Sequence, residues 1–401
     1  MKQKHILVVS QYFYPEAFRI NDMCCEWVKR GYKVTVLTGI PNYPQGKFYK
    51  GYGWFKRRHE QWNGVDIIRI PLFPRGHTSL GLILNYYSFV VSGYFWRCFT
   101  KVKADLIFTF AISPVTQALI SVGYSKRKRV PHYIYVQDLW PDNVEILTGV
   151  RNSLVIKSLG RMVNRIYQNC DKIFATSPSF VKEIQKRTPG AENKVIYWPQ
   201  YAEEYYQPLP RKPIPELAED GRFKIIFTGN IGQAQGLEVL PRTARLLKEK
   251  GDRNVCFVIV GDGRHKHQLL NDIASYDVAD MFILLEHQSS ERIPELMAAC
   301  DAAFVSFLQN AVFANTIPAK LQSYLACGMP ILAAASGETE RIIFEAKCGL
   351  CCEGGNETAL AECIQKLRTE NLSEYSKNAR AYFEANFQKK PLMDLMDKYI
   401  Q

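Results

Sequence analysis

Residues 223–236 read Phe223-Lys224-Ile225-Ile226-Phe227-Thr228-Gly229-Asn230-Ile231-Gly232-Gln233-Ala234-Gln235-Gly236. An apolar, largely β-branched and aromatic run enters a polar turn with three glycines, and a helical pattern over 237–250 follows. That order opens a β–α–β unit. The rhythm continues downstream. Strands are predicted at 255–260, 281–285, 301–307 and 330–334, with helices near 265–274, at 291–299 and from Pro318, and a mostly helical tail over 357–400.

Working back toward the start, the same rhythm appears. Strands are predicted at 5–10, 33–38, 65–70, 105–110, 132–136 and 172–176. Asn21 or Asp22 can cap a helix that runs to Lys29-Arg30 and stops at Gly31. Between the halves, Pro208, Pro210, Pro213 and Pro215 exclude a central strand or a helix interior. The linker is therefore placed at 206–222, with domains at 1–205 and 223–385. A closing helix at about 386–401 is expected to pack back on the first domain. The reading is α/β: two Rossmann-like doubly wound domains facing across a cleft, with ligands beyond the carboxyl ends of the strands.

The chain has 401 residues, 47% hydrophobic and 22% charged, which suits a large globular core. Its net charge of +12 is unevenly spread. Residues 1–200 carry 29 Lys and Arg against 12 Asp and Glu, and residues 201–401 carry 22 against 27. The first half is the one suited to an anionic partner, nucleic acid or an anionic membrane. No basic motif interleaved with aromatics and no helix-turn-helix is visible, which argues against nucleic acid. The Cys348–Cys351 pair has no second pair, so it reads as a buried strand and not as zinc ligands. Zinc is therefore not expected. The cysteine usage fits a reducing cytosol. The start reads as a first strand and not as a signal peptide. Residues 80–99 are the most apolar long stretch, but Asn85, Ser88, Ser92 and Arg97 interrupt it. It reads as a buried or interfacial helix.

Three loops at strand ends carry the candidate binding site. The first is Gly229, Asn230, Gly232 and Gln235, leading through Gly236 to a helix whose free N–H groups suit a nucleotide diphosphate. The second is Gly261 and Gly263. The third is Thr316, Ile317, Pro318, Ala319 and Lys320, with Pro318 in the first helical turn and the Lys320 ammonium as a phosphate contact.

Longer runs carry a family resemblance. They are Ser10 through Glu16, Arg19 through Asp22, Thr38 through Lys47, Gln137 through Asp142, the Gly229–Gly236 loop and the stretch from Thr316 to Pro330. In order and over nearly the whole chain, they resemble the bacterial family 4 glycosyltransferases, more closely the surface-polysaccharide members that include amino-deoxyfucose transferases. The resemblance implies a GT-B fold, a nucleotide-sugar donor in the second domain, UDP in preference to GDP, retention of configuration and no required metal. It also places His287 near the base of the donor. Where many members carry an Arg, a Lys and two glutamates, this chain has Asn230, Gln235, Asn315 and Ser323. Backbone N–H groups, Lys320, Asn230 and Gln235 would then hold the diphosphate.

Retaining transfer asks mainly for stabilisation of the leaving diphosphate. The catalytic candidates are Lys320 at the diphosphate and, near the acceptor hydroxyl, Asp138 at a strand end of the first domain and Glu16 and Arg19 on the first loop. Asp138 could orient or deprotonate the hydroxyl, and Arg19 could contact phosphate. Trp140 reads as packing or as a sugar platform. The basic clusters Lys56-Arg57-Arg58 and Lys126-Arg127-Lys128-Arg129, with the 80–99 helix, suit peripheral docking on the cytoplasmic face of a bacterial plasma membrane. The acceptor implied by the resemblance, a polyprenyl-diphosphate-linked saccharide for O-antigen or capsule, would lie there. The rivals are a GT-B nucleotide-sugar epimerase and a non-catalytic nucleotide-sugar-binding protein.

Overall fold

A computed structural model describes residues 3–76, 78–144 and 152–401. The chain divides into two compact units, Met1–Trp198 and Pro199–Gln401.

The first unit holds an eight-stranded sheet in the order β3-β4-β2-β1-β5-β6-β7-β8. The strands are β1 His5–Val9, β2 Lys33–Thr38, β3 His59–Trp62, β4 Val65–Arg69, β5 Leu106–Ala111, β6 His132–Val136, β7 Lys172–Ala175 and β8 Val195–Tyr197. All pairings are parallel except β3 with β4. The inner strands β1, β5, β6 and β7 are buried along nearly their whole length, so they read as largely apolar runs in the sequence. β3 is different. His59-Glu60-Gln61-Trp62 is a half-exposed polar edge strand, and β8 is only three residues long. Neither carries the signal of a buried strand, and neither was expected.

The helix over the apolar stretch runs Ser79–Phe99, and Thr78 Oγ1 accepts the Gly81 N–H at its start. One face, Asn85, Tyr86, Phe89 and Gly93, is buried. The other leaves Leu80, Ile83, Leu84, Tyr87, Val91, Tyr94 and Phe95 exposed, at 66%, 41%, 47%, 57%, 54%, 52% and 58%. No helix among the described residues is long and apolar enough to cross a membrane.

The second unit holds six parallel strands in the order β11-β10-β9-β12-β13-β14. They are β9 Phe223–Thr228, β10 Val255–Val260, β11 Phe282–Leu285, β12 Ala302–Ser306, β13 Ile331–Ala334 and β14 Gly349–Cys352. β10 and β13 are wholly buried, which is why their sequences are unbroken apolar runs. The Cys-rich stretch is β14, and its cysteines are free thiols. The proline-rich stretch read as a linker is part of this unit. Leu217 is buried in one core cluster with Ile226 and Val258, and Arg211 pairs with Asp301 at 2.7 Å. The unit closes with the helices Glu357–Leu367, Leu372–Asn386 and Lys389–Ile400.

Each sheet has one point where strand order reverses, between β1 and β5 in the first and between β9 and β12 in the second. Loops that leave on opposite sides of such a point open a crevice for ligand.

Candidate active site

In the second unit, three loops at the carboxyl ends of β9, β10 and β11 lock one another. Gly229 N–H donates to Val260 O at 2.9 Å, Ile231 N–H to Asp262 O at 2.8 Å and Gly261 N–H to Leu285 O at 3.1 Å. This approach requires glycine. A Cβ on Gly261 would stand 2.0 Å from Gly229 O, and one on Gly263 would stand 2.2 Å from Ile231 O. The helix Ala319–Ala326 is tied to the same corner, because the Tyr324 hydroxyl oxygen accepts Thr228 N–H at 2.8 Å.

Lys320 lies in the first turn of that helix. Its Nζ is 3.6 Å from the centre of the Phe227 ring, and a Cβ on Gly229 would be 3.8 Å from it. The residue as a whole is half-buried, but the ammonium itself is sealed from solvent and has no hydrogen-bond partner. That burial pulls its pKa from 10.5 down to about 7. A ring face offers a cation only part of what water does.

The other expected donor contacts fall into two groups. Some face outward: Gly229, Asn230, Ala319 and His287 are exposed. Others are engaged locally. Gln235 Oε1 accepts Gly232 N–H at 3.1 Å, so its carbonyl closes the loop on itself. Thr316 Oγ1 donates to Val312 O at 3.2 Å, and Ser323 Oγ donates to Ala319 O at 3.3 Å. Ile317 is buried in the core. Pro318 is not inside the first helical turn. Its ψ of 134° is extended, so it caps the helix and Ala319 begins it. The helix after Gly236 also starts later than expected, at Val239, because a 3-10 turn over Gln233–Gln235 and a left-handed Gly236 (φ 56°) come first.

In the first unit, the corresponding corner is a buried polar network. Gln11 N–H donates to Gln117 Oε1 at 2.8 Å, across the β1/β5 reversal point, and Gln11 Nε2 donates to Asn85 Oδ1 at 2.7 Å. Glu16 is 3% exposed. Its Oε1 accepts the N–H groups of Asn42 at 2.7 Å and Tyr43 at 2.6 Å, and its Oε2 accepts that of Phe13 at 3.3 Å. Burial pushes its carboxyl pKa up to about 7, partly offset by those N–H donors. Glu16 therefore holds the 39–46 loop to the first loop through backbone groups.

Asp138 follows β6. Its Oδ2 accepts both Ser113 N–H and Ser113 Oγ–H at 2.8 Å, and Trp140 Nε1 donates to the same Oγ at 3.0 Å. Trp140 is buried, which makes it packing. Burial pushes the Asp138 carboxyl pKa up. Arg19 opens the helix Arg19–Lys29, near enough for its charge to act on the Tyr135 phenol.

Sequence reading missed Phe227, Tyr324, Gln11, Asn42, Asn85 and Gln117. The available signal was Asn85, a lone amide in an apolar stretch, and a buried amide has to find partners. Among the described residues, no three His, Cys, Asp or Glu side chains gather as a metal cluster.

Comparison with known proteins fits both units. Residues 17–199 match the glycosyl transferase 4-like domain, and residues 211–388 match the glycosyl transferases group 1 family. The chain is a group 1 glycosyltransferase of GT-B fold. This glycosyltransferase is 26% identical over 392 residues to WcaI of Escherichia coli (strain K12), a glycosyl transferase assigned to colanic acid biosynthesis, covering 92% of this chain and 90% of that one. Its fold is similar to sucrose-phosphate synthase from Thermosynechococcus elongatus, with TM-score 0.76, 16% identity and coverage of 99% and 98%. It is also similar to HepE from Anabaena, solved with UDP and glucose, with TM-score 0.70, 15% identity and coverage of 98% of each chain.

Proposed function

We propose that this glycosyltransferase takes a sugar from a UDP-linked donor held by the second unit and passes it to a polyprenyl-diphosphate-linked saccharide. Configuration is retained, no metal is required, and the product is a surface polysaccharide such as an O-antigen or capsule. The carrying observation is the Lys320 ammonium, buried, unpaired and packed on Phe227 beside Gly229. Charge develops on the diphosphate as the glycosidic bond breaks. A cation already in place in a dry site stabilises that charge without reorganisation. The name of WcaI supports a polysaccharide product, and the ligands of HepE support UDP. An N-acetylated 6-deoxyhexosamine, or a related hexose, is the sugar that the sequence resemblance favours.

On the acceptor side, Asp138 orients or deprotonates the attacking hydroxyl. Its raised pKa moves it toward the range of a useful base. Arg19 meets phosphate. The exposed stripe of the Ser79–Phe99 helix and the cations around it dock the enzyme on the cytoplasmic face of the plasma membrane.

The test is a panel of nucleotide sugars, each incubated with and without lipid-linked acceptor. Product only with acceptor supports the proposal. Isomerised donor without acceptor makes the protein an epimerase, and binding without turnover makes it a sensor. For the membrane, the protein should float with anionic vesicles at low salt. Protein that stays in solution there refutes docking.

A further inference from the structure

The second unit carries a pair of thiols away from its glycine loops. Cys352 ends β14, and Cys363 lies in the helix Glu357–Leu367, which packs on that strand. Both are free and half-buried, and both sit against the core cluster that holds Ile225, Phe257 and Leu332. Their side chains are hydrogen-bonded to each other. Cys363 Sγ also lies 4.0 Å from Cys351 O, the carbonyl just before Cys352. The Cys351 side chain is not part of the pair. Alternation along the strand turns it to the other face, where it packs on the second core cluster and its Sγ donates to Ala335 O at 3.2 Å.

The two sulfurs are chemically unequal. The hydrogen bond between them pulls the Cys363 pKa down and pushes that of Cys352 up. A partly exposed thiol that ionises readily, with a second thiol in contact, suits oxidation of the first and its resolution by the second.

The pair is also linked by contact to the glycine loop after β9. Residues Glu353 to Asn356 join β14 to the helix that carries Cys363. Gln309 Nε2 donates to Glu353 Oε1, and a Cβ on Gly354 would stand 2.4 Å from Phe307 O, so this loop is pressed against the one after β12. That second loop reaches the first glycine loop. Leu308 N–H donates to Ala234 O at 3.0 Å, and Ser306 Oγ donates to Gln235 O. Contacts this close transmit a displacement.

We propose that Cys352 and Cys363 form a reversible redox pair, closed to a disulfide by hydrogen peroxide, and that closure weakens UDP binding at the glycine loop. The Cys363 thiolate attacks one peroxide oxygen. The O–O bond breaks, and the departing hydroxide takes up a proton as water. The Cys352 sulfur then attacks the Cys363 sulfenic acid. The S–O bond breaks, the Cys352 thiol proton leaves with that hydroxide as a second water, and the S–S bond forms. The two sulfurs together lose two electrons, and the peroxide gains them. Closing a bond of about 2.05 Å draws the sulfurs in from hydrogen-bond contact, and the loop between them follows.

The experiment treats the full chain with hydrogen peroxide, blocks the remaining thiols with N-ethylmaleimide and cuts with a glutamyl endopeptidase. Cleavage after Glu345, Glu353, Glu362 and Glu370 puts Cys352 and Cys363 in separate peptides, 346–353 and 363–370. Mass spectrometry should find these peptides cross-linked in wild type and in Cys351→Ser, and dithiothreitol should separate them. The cross-link should be absent from Cys352→Ser and Cys363→Ser. UDP affinity should fall at least about fivefold on oxidation and recover on reduction. Peroxide-treated Cys363→Ser should bind UDP as the reduced protein does.

Peroxide-treated wild type without this cross-link, or a cross-link that persists in Cys352→Ser, would overturn the pair. A complete cross-link with unchanged UDP affinity would overturn its coupling to the glycine loop. The UDP arm rests on the donor reading above, and the two fail separately. A reduced chain that binds no UDP removes that reading, and the cross-link then decides the pair alone.

Discussion

Glu16 and Lys320 are both charged side chains withdrawn from water at the carboxyl end of a parallel sheet, and the protein surrounds them differently. Around Glu16, three backbone N–H groups of Phe13, Asn42 and Tyr43 converge on the two carboxylate oxygens. Around the Lys320 ammonium there is the face of Phe227 and the backbone of Gly229, and no hydrogen-bond acceptor. The first charge is satisfied by its own chain and holds two loops together. The second has no hydrogen-bond partner among the described residues of its own chain. A buried charge with partners points to architecture, and one without them points to binding.

The largest effect should follow from Lys320→Met. The substitution keeps the stem against Phe227 and removes the charge. Transfer should fall by about 100-fold to 1,000-fold, the scale for losing one preplaced group that stabilises developing charge. The folded state should be as stable as before or more so, because an uncompensated buried charge is gone. Steady-state kinetics and a melting curve check both halves. A large loss of stability with normal kinetics would make Lys320 architectural, like Glu16.

A smaller effect is expected from pH. The Lys320 pKa of about 7 in the free enzyme should rise when a diphosphate arrives, so binding takes up a proton above pH 7. Donor affinity should therefore fall as pH rises from 7 to 9, by up to about tenfold per unit. Lys320→Arg keeps its charge throughout, and its affinity should be nearly flat over the same range. A wild-type profile just as flat would detach the effect from Lys320.

The reasons some features were legible in the sequence and others were not are physical. Strands such as β10 and β13 are buried on both faces, so burial is written directly into Val255–Val260 and Ile331–Ala334. The edge strand β3 is held by one neighbour, and its polar sequence has no such signature. The glycine loops after β9 and β10 were legible because close backbone approach leaves glycine as the residue that fits, as at Gly261 and Gly263. The position of Lys320 was legible, but its burial was not, since that depends on Phe227 of a distant strand. Glu16 was read as a group near the chemistry. Its N–H donors come from the loop after β2, and nothing local to Glu16 announces them.

The smallest effect should come from Glu16→Gln. The folded state holds the Glu16 proton more tightly than the unfolded chain, with a pKa of about 7 against 4.5. Wild-type stability should therefore decrease as pH rises from 4.5 to 7, and the variant should lack that slope. Replacing Oε2 by an amide NH2 turns a donor toward Phe13 N–H and should cost about 1–2 kcal/mol. Denaturant melts at both ends of that pH range read the slope, and an unchanged slope would place the titration on another group.

The claim that the second unit holds its nucleotide diphosphate through one waiting cation is tested most directly by calorimetric titration of UDP into wild type and Lys320→Met at pH 6.5. The variant, still folded, should bind UDP at least about tenfold more weakly. Equal affinity in the two proteins would contradict it.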